Sequence, residues 1–453
     1  MINTIGVHVY RWLPYFLVIL FILFILFIFS FIVILGWARI KHPFWAIQPV
    51  AHYYDIQYWF QNKGIISTQL PDKNKYVNFQ KIKTVIVTES NLDKLATMWS
   101  QVLGCIQTHY LREKTCEYVP TLSNIIPYFV GHAFPCFIST FTEPELLSLA
   151  SPDIKLLNND KIIGVMTSRP LYVTIFKGTV FKSTMFKGTM FKGTGFNGSA
   201  TSIQFPVYYV DFLCVDKTRR KQNVAPQLIQ THEYVQSHQS HKISVSLFKR
   251  EGELTGIVPL TVFDTECFAI ENVLNTVPLK PNTCLLVKVT TTNIRILYNF
   301  LVEQQEIGSN NHDIFIIPHL ANLTECIKTD NIIAYMCIHE DIVQSCYFFR
   351  MSQTFLNNKL VVSCFASLWN TDTRSTFNCS NRSTFIQGFQ SAFTELITKE
   401  KHIGYLTVEN IGNNAKFIHE ISEVKPYLVS PTAYFFYNFA YSPFLNHRAF
   451  ILC

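Results

Sequence analysis

The feature that most constrains this chain is an uninterrupted apolar stretch close to its amino terminus. From Leu13 to Trp37 there is no charged residue, and most positions are Phe, Ile, Leu or Val. A helix rises about 1.5 Å per residue, so a stretch of this length crosses a hydrocarbon core of about 30 Å. A cleaved signal peptide has a shorter apolar region and a small-residue cleavage site, and neither is seen here. The sequence predicts a short tail at residues 1–12 and one membrane-spanning helix at residues 13–37.

Charges that flank this stretch indicate its orientation. Arg11 precedes it, whereas Arg39 and Lys41 follow it. Because positive charges favour the cytosolic side, this small excess predicts a single-pass membrane protein with a cytosolic body and an external amino terminus. Four glycosylation sequons would matter only if the body were luminal, and they lie at Asn197, Asn322, Asn378 and Asn381.

Composition narrows the classes of function. The 453 residues carry a net charge of +7, but four of the lysines lie in one repeat, so a nucleic-acid partner is not expected. Twelve scattered cysteines form no CxxC pair, which predicts reduced buried thiols and no metal site. The 39 phenylalanines suggest aromatic-rich cores or an apolar binding cavity.

A tandem repeat interrupts the body of the chain. Residues 176–200 contain five copies of a five-residue unit related to FKGTM, lying between strand-like stretches at Lys161–Met166 and Val207–Val215. This pattern predicts an enlarged hairpin loop, with a basic surface-binding loop as the alternative. Alternating strand-like and helix-like runs indicate a mixed α/β body, and the Pro-containing stretch at residues 276–282 is the predicted internal boundary.

The segment Val207–Leu228 carries the clearest chemical signal. A β-branched and aromatic strand is followed by a turn with four basic residues, and then by a predicted helix at Val224–Ser237 with Pro226 in its first turn. The predicted inward face of that helix consists of Val224, Leu228, Ile229 and Val235. Free N–H groups and the positive end of a helix dipole bind anions, so this arrangement suits a diphosphate, although a solvated basic loop remains the commoner use of such a turn.

The same residues resemble a known family. The stretch Asp211–Ile229, DFLCVDKTRRKQNVAPQLI, is similar to the signature of the N-myristoyltransferases, including its FLCV tetrapeptide and the VAP that opens the helix. His42–Val50 (HPFWAIQPV) and Lys161–Pro170 (KIIGVMTSRP) resemble further family segments in the same order. The resemblance covers about residues 42–453.

This resemblance implies a fold. The expected architecture is α/β (α+β), with two tandem GNAT-like halves sharing one saddle-shaped mixed sheet with flanking helices, preceded by one transmembrane helix. Residues 38–275 would form the acyl-CoA-binding half, and residues 276–453 would contribute the peptide groove. The expected partners are myristoyl-CoA as acyl donor, proteins with an N-terminal glycine, and the membrane, with no metal and a monomeric chain.

The resemblance also implies roles for individual residues. The backbone N–H groups of Phe212 and Leu213 would polarise the thioester carbonyl, and the carboxylate of Cys453 would be the base. The residues expected to contact the acyl-CoA are Phe44, Trp45, Leu213, Cys214, Val215, Arg220, Lys221, Gln222, Asn223, Val224, Ala225 and Pro226. Those expected to contact the acceptor are Leu247, Ser367 and Glu409.

The acceptor side departs from the family pattern. The segment Val245–Phe248 replaces a family stretch whose Thr positions the glycine amine, so that Ser246 or Leu247 occupies that position. Phe268–Glu271 has neither the His nor the Arg expected at the peptide site. Two alternatives to an active enzyme therefore remain: a non-catalytic membrane or virion structural protein that still binds acyl-CoA, and a GNAT-type transferase with another acyl chain or acceptor.

Overall fold

The computed structural model describes most of the chain. The described ranges are residues 2–60, 63–111, 115–144, 160–176, 197–198, 202–252, 256–273, 284–307, 312–370, 382–400, 402–421 and 425–453. The predicted boundary at residues 276–282 and most of the repeat lie outside them.

A long helix begins the described chain, and further helices flank the sheet. They are α1 Ile2–Lys41, α2 Ile56–Phe60, α3 Ala96–His109, α4 Leu122–Ile125, α5 Val224–Gln239, α6 Ile270–Val273, α7 Ile294–Ile307, α8 Leu320–Lys328, α9 Arg382–Lys399 and α10 Ala415–Ile421.

The strands alternate with these helices, as the sequence predicted. They are β1 Gly64–Ile65, β2 Ile82–Val87, β3 Cys116–Tyr118, β4 Cys136–Pro144, β5 Asp160–Phe176, β6 Asn197–Gly198, β7 Ser202–Val215, β8 Ser246–Glu251, β9 Thr261–Ala269, β10 Leu285–Lys288, β11 Ile314–Ile317, β12 Ile333–His339, β13 Ile342–Leu356, β14 Lys359–Trp369, β15 Ile403–Glu409, β16 Leu428–Tyr437, β17 Phe439–Ala440 and β18 Ala449–Ile451.

One mixed sheet runs through the whole body. Its strand order is β10-β12-β13-β14-β15-β9-β16-β8-β7-β5-β11-β18, with β2 and β4 added beside β5. Three of the neighbouring pairs are parallel: β7 with β8, β14 with β15, and β11 with β18. The strands of the first two pairs are each connected by a long helix, α5 or α9. The same unit thus occurs twice, which confirms the expected mixed fold of two similar halves.

The halves are joined by an exchange of strands. β9, which follows the first parallel pair in the chain, pairs with β15 of the second half, whereas β16 from the end of the chain pairs with β8 of the first. β9 and β16 also pair with each other at the centre of the sheet. Because each half completes the other, the chain forms one continuous sheet.

The amino-terminal helix is longer than the sequence predicted. α1 begins at Ile2 and ends at Lys41, so the residues expected to form a tail are helical. Among the described residues, Pro14–Lys41 is the one helical stretch that is long and apolar enough to cross a membrane. The two basic residues that close the helix, Arg39 and Lys41, are the ones used above to predict its orientation.

The repeat lies at the end of a hairpin. β5 and β7 are antiparallel, and their last pair joins Phe176 to Ser202, on either side of the repeat. Within the repeat, Asn197 and Gly198 pair with β7. The hairpin prediction is therefore confirmed.

Aromatic side chains fill much of the core. In the second half, a cluster under α9 includes Phe349, Phe385, Phe389, Phe393 and Phe417. The rings of Phe389 and Phe417 stack with centroids 3.9 Å apart. Each fully buried Phe contributes about 1.5–3 kcal/mol. Part of the phenylalanine excess is thus explained by an aromatic-rich core.

Asn322, one of the sequon residues, is buried with 1% exposure. Its side-chain amide donates to the carbonyl oxygens of Pro127, Tyr128 and Val130 at 3.1, 3.2 and 2.7 Å. These bonds fix the start of α8 against the segment Pro127–Val130. In the folded protein this side chain is inaccessible to glycan transfer.

Candidate functional site

The candidate site lies where the first parallel pair of strands separates. β7 pairs with β8 over Tyr208–Val210 and Ser246–Phe248. Beyond Val210, β7 stays paired with β5 as far as Val215, whereas β8 stays paired with β16. The two strands therefore diverge and leave a wedge-shaped opening, which we call the central split.

A bulge in β7 produces this divergence. The register between β5 and β7 shifts between Met166 and Ser168, opposite Asp211 and Phe212. An extra residue bends a strand and strengthens its twist, which directs β7 away from β8. At the bulge, the N–H of Phe212 donates to the Thr167 hydroxyl over 3.2 Å. The side chain of Leu213 is 40% exposed.

These features suit the predicted oxyanion donors. A strand N–H at a bulge is not committed to a regular ladder, and that of Phe212 donates to the side-chain hydroxyl of Thr167. The next residue, Leu213, is the exposed one on this stretch. Both predicted donor residues lie on the part of β7 that continues beyond its pairing with β8.

The turn after β7 has the backbone expected of an anion site. Asp216 accepts from the N–H and hydroxyl of Thr218 at 2.9 and 2.8 Å, which starts the turn. Although burial opposes it, these bonds hold the pKa of Asp216 below its usual value. Lys221 and Asn223 then adopt left-handed φ values of 64° and 60°, and α5 begins at Val224. The turn therefore leads directly into the N–H groups of a long helix.

Basic side chains of the turn differ in their surroundings. Arg219 pairs with Glu143 at 2.8 Å, and Arg220 donates to the carbonyl of His109 at 2.9 Å. Lys217 and Lys221 are exposed. The exposed amines of Lys217 and Lys221 could therefore pair with a diphosphate at this helix end. The two arginines are already held in place by their partners in the protein.

The remaining predicted donor-side residues divide by burial. Cys214 packs against α3, and Val224, at the start of α5, packs against strands β2, β4 and β5. Both are therefore core residues. Val215, Ala225 and Pro226 are half-buried, and Gln222 is exposed. Gly164 lies below, where an added Cβ would meet Leu228 at 2.7 Å. The exposed residues of this region thus belong to the turn itself, from Lys217 to Asn223, whereas Cys214 and Val224 on either side of it are buried.

Phe44 and Trp45 reach the central split from the end of α1. Phe44 is buried against Met166, Ile229 and the half-buried Val210, which is the last β7 residue paired to β8. Trp45 stacks on Phe248 of β8 with ring centroids 6.1 Å apart. The structure thus places both predicted aromatic residues at the opening.

Cys453 reaches the same region from the opposite end of the chain. It is 6% exposed and packs in one cluster with Tyr209 of β7, Leu247 of β8 and Tyr434 of β16. The Tyr434 hydroxyl lies 3.2 Å from the Cys453 sulfur. Tyr209 precedes Phe212 by three residues, which is about 10 Å along a strand. The predicted base and the predicted oxyanion donors therefore lie near the same point of the sheet.

Cys453 is held by a partner that the sequence did not predict. The guanidinium of Arg350 donates to its main-chain oxygen. The Arg350 side chain also lies over the rings of Tyr128 and Phe365, at 5.4 and 4.4 Å. Burial, followed by the charge of Cys453, raises the pKa of Tyr209 well above its usual value. The pKa of Tyr434, the other tyrosine beside Cys453, is raised in the same way, so Tyr209 and Tyr434 are both neutral hydrogen-bonding groups at neutral pH.

Two further ion pairs surround this position. Arg169, 2% exposed, pairs with Asp211 of the bulge at 2.9 Å, and Lys249 of β8 pairs with Glu409 at 2.9 Å. With Arg350 and Cys453, these groups form what we call the buried charge cluster. Such charges persist in an interior only when they are paired and hydrogen-bonded.

The predicted acceptor residues occupy different surroundings. Leu247 is fully buried and faces Cys453, whereas the hydroxyl of Ser246 faces α5 and accepts from Gln236 at 3.2 Å. Side chains alternate along a strand, so the residue on the Cys453 side is Leu247, which has no hydroxyl. Ser367, 1% exposed, donates to Asn414. Of the three predicted residues, Leu247 and Glu409 belong to the surroundings of Cys453.

Sequence reasoning missed most of the buried charge cluster. Arg169, Lys249 and Arg350 each lie inside a strand-like run, and a charged residue in such a run was a usable signal. Their partners are far away in sequence, so the signal did not identify the pairs. Among the described residues, no group of His, Cys, Asp or Glu is arranged to hold a metal ion.

Solved structures share this architecture. Saccharomyces cerevisiae N-myristoyltransferase with bound myristoyl-CoA matches with a TM-score of 0.63 and 13% identity, covering 90% of each chain. The same enzyme with myristoyl-CoA and inhibitors matches with a TM-score of 0.62 and 12% identity, covering 91% of this chain and 94% of that chain. No protein-family model and no curated protein sequence matches the chain.

The mixed sheet with its central split thus shares the architecture of these solved structures. Its particular form is the N-myristoyltransferase fold, as the resemblance of Asp211–Ile229 predicted.

Proposed function

We propose that the protein is a membrane-anchored N-myristoyltransferase that transfers a fatty acyl group from acyl-CoA to the amine of an N-terminal glycine. One observation carries the proposal. Cys453 packs with Tyr209 and Leu247 at the point where β7 and β8 separate. A carboxylate at that position would lie beside the opening in which the thioester is expected.

The donor would occupy the central split. Its diphosphate would lie at the turn before α5, where backbone N–H groups and basic side chains converge. Its thioester oxygen would accept from the N–H groups of Phe212 and Leu213. Donors of this kind act on charge that develops in the transition state, and the loss of one typically costs about 2.7–4 kcal/mol.

The acceptor amine must lose a proton before it attacks. An α-amine has a pKa near 8, so it is mostly protonated at neutral pH. The carboxylate of Cys453 would take this proton, with the hydroxyls of Tyr209 and Tyr434 beside it. The nitrogen then bonds to the thioester carbon and gives up a second proton as the C–S bond breaks, and this proton is taken up by the CoA sulfur, so that CoA leaves as its thiol.

The proposal also covers how the protein is held at the membrane. The apolar helix α1 would span the bilayer, and the body, as a monomer, would lie on the cytosolic side with Arg39 and Lys41. Acyl-CoA is highly charged and does not cross a bilayer unaided, so a cytosolic body has access to the cytosolic donor.

A second function is favoured by a specific contact. The guanidinium of Arg350 occupies the main-chain oxygen of Cys453, which a terminal carboxylate would need to accept a proton. Leu247 supplies no hydroxyl for the acceptor amine. These features suit a protein that binds acyl-CoA without transferring the acyl group.

Turnover decides between these functions. The full chain in detergent is incubated with myristoyl-CoA and a peptide that begins with glycine, and release of the CoA thiol is measured. The same peptide with an acetylated amine is the control. We expect CoA release only with the free amine; saturable binding without turnover would establish the second function, and preference for acetyl-CoA would indicate a different acyl transfer.

Two variants of the chain test the role of the Cys453 carboxylate. Appending residues after Cys453 removes its carboxylate from the site, so turnover should be lost while acyl-CoA binding persists. Cys453→Leu keeps the terminal carboxylate and should retain turnover. Turnover by the extended chain would rule out this carboxylate as the base.

A further inference from the structure

We propose that exposed apolar side chains beside the end of α1 dock onto the surface of the bilayer that α1 crosses. These side chains, Ile47, Tyr53, Trp59 and Phe60, form what we call the interfacial face. The inference rests on the proposed anchoring and adds a second, peripheral contact between the body and the lipid.

The interfacial face is unusually exposed for its composition. Ile47 is 55% exposed, Tyr53 49%, Trp59 60% and Phe60 85%. Large aromatic residues normally bury most of their surface. Three such aromatic side chains and Ile47, within fourteen residues of sequence, therefore indicate a surface that is covered by something apolar.

Contacts within the segment hold this face in place. The indole N–H of Trp59 donates to the carbonyl of Tyr53 over 3.1 Å, which brings these two residues together. Tyr58, between them in the chain, is 6% exposed and donates to the carbonyl of Tyr441 at 2.9 Å. Because Tyr58 points into the body, the adjoining Trp59 and Phe60 are fixed on its outer side.

The face lies next to the carboxyl end of α1. Ala38, in the last turns of α1, is only 6% exposed and its carbonyl accepts from the N–H of His42 at 2.9 Å, so the helix runs directly into the body. A ring nitrogen of His52 lies 3.2 Å from the carbonyl oxygen of Trp45, four residues beyond α1, which holds the segment close to the end of the helix. The segment that carries the face thus begins where the spanning helix ends.

The chemistry of the face fits a lipid headgroup region. Trp and Tyr are enriched at the membrane–water interface, because their rings are apolar and their N–H or O–H groups are polar. Basic residues flank the segment, with Arg39 and Lys41 before it and Lys63 after it, and they suit anionic headgroups. A bilayer is therefore the partner that continuity with α1 and this composition both favour.

Docking of this face would bring the donor opening to the membrane. Ile47 ends the short helical turn Trp45–Ile47, whose first residue stacks on Phe248 at the central split. Long-chain acyl-CoA is an amphiphile that partitions to membrane surfaces, so it could enter the split from the bilayer surface.

Photo-crosslinking tests the contact. The full chain is reconstituted in vesicles of equimolar phosphatidylcholine and phosphatidylserine that contain a phosphatidylcholine with a diazirine near the headgroup end of its acyl chain. After illumination, lipid adducts are located by mass spectrometry. We expect adducts in α1 and in residues 47–60, and none at Tyr427, which is 57% exposed and packs on Tyr405 in the second half.

The outcomes separate this contact from the proposed anchoring. Adducts in α1 alone would overturn the interfacial face and leave the anchoring intact. Absence of adducts from both would overturn both. Neither outcome depends on whether the protein transfers acyl groups.

A pair of variants gives an independent check. Trp59→Ser with Phe60→Ser should reduce adducts in residues 47–60 several-fold while adducts in α1 persist. Leu285→Ser, at a 67% exposed position on β10, should change neither. Equal melting temperatures would show that the variants remain folded, and unchanged labelling of residues 47–60 in the double variant would count against the proposal.

Discussion

At the scale of single residues, Lys249 shows how burial decides which contact matters. Its amine lies 2.9 Å from Glu409 and 3.2 Å from Glu251, but the Glu409 side chain is 8% exposed and that of Glu251 is 58% exposed. Although burial opposes the charge, Glu409 and Glu251 together hold the pKa of Lys249 above its usual value. The pair with Glu409 is the one that water cannot replace.

Substitution of Lys249 should therefore be costly. Lys249→Met leaves the Glu409 carboxylate buried without its partner, and breaking such a pair typically costs about 3–5 kcal/mol. Glu251→Gln removes an exposed pair and should cost less than about 1 kcal/mol. Denaturant unfolding of both variants measures the difference. Equal losses would contradict the assignment, and adding Glu409→Leu to Lys249→Met should restore much of the stability.

At the scale of elements, α5 has an inward face that differs from its sequence pattern. Val224, Leu228 and Ile229 are buried as predicted, but Val235 is only half-buried. The rest of the buried face is polar and consists of Gln230, Thr231, His232, Glu233, Gln236 and Ser237. The prediction of an apolar face was therefore incomplete, because strands β4 and β5 present serines that accept or donate to this helix.

The polar contacts of α5 explain two shifted pKa values. His232 lies between the hydroxyls of Ser139 and Ser168, each 2.8 Å from a ring nitrogen. Burial lowers the pKa of His232 to about 3, so it stays neutral. Burial likewise raises the pKa of Glu233 to about 7, although Ser237 donates to it over 2.8 Å.

The raised pKa of Glu233 predicts a pH dependence of stability. In the unfolded chain Glu233 ionises near its ordinary pKa of 4.5, whereas in the folded protein it holds its proton to about 7. The unfolded state therefore binds fewer protons in this window, and the contribution of Glu233 to stability falls as pH rises. Glu233→Gln removes this loss, so its stability relative to wild type should rise by about 3 kcal/mol across the window.

Free energies of unfolding of wild type and Glu233→Gln, measured from pH 4.5 to pH 7.5, would check this contribution of Glu233 to stability. Glu340→Gln is the matched control, since the Glu340 side chain is 63% exposed. A constant difference between Glu233→Gln and wild type over this range would show that Glu233 titrates normally in the folded protein.

At the scale of the whole molecule, α1 is the element that the body leaves uncovered. Its apolar side chains from Tyr15 to Phe29 are largely exposed, so they need a partner other than the body itself. Because the hydrocarbon core tolerates charge poorly, Phe24→Arg with Phe27→Arg should cost about 2.5–3.5 kcal/mol per arginine placed near its centre.

The double variant should therefore be released from membranes by alkaline extraction, whereas wild type stays in the membrane pellet. Leu285→Arg, which adds a charge to an exposed position of the body, should stay with the membrane. If α1 spans the bilayer with a cytosolic body, protease added to sealed vesicles with the cytosolic face outward should digest the body. Protection of the body would reverse the proposed orientation.

The amino-acid sequence alone determined the features that depend on neighbouring residues. The apolar run of α1, the β5–β7 hairpin around the repeat, and the strand, basic turn and helix of Asp211–Ile229 all follow from local pattern, and the last of these also identified the fold. Periodicity, turn residues and a family signature are all encoded within a few tens of residues. For that reason these predictions could be made without coordinates.

Only the tertiary structure decided which distant residues meet. The bond from Arg350 to Cys453, the pair of Lys249 with Glu409, and the polar face of α5 join separate strands and helices. No local pattern specifies such pairs, because they arise when strand exchange and the bulge in β7 bring remote segments together. The sequence therefore located the donor side of the candidate site, whereas the surroundings of its proposed base became visible only in the folded chain.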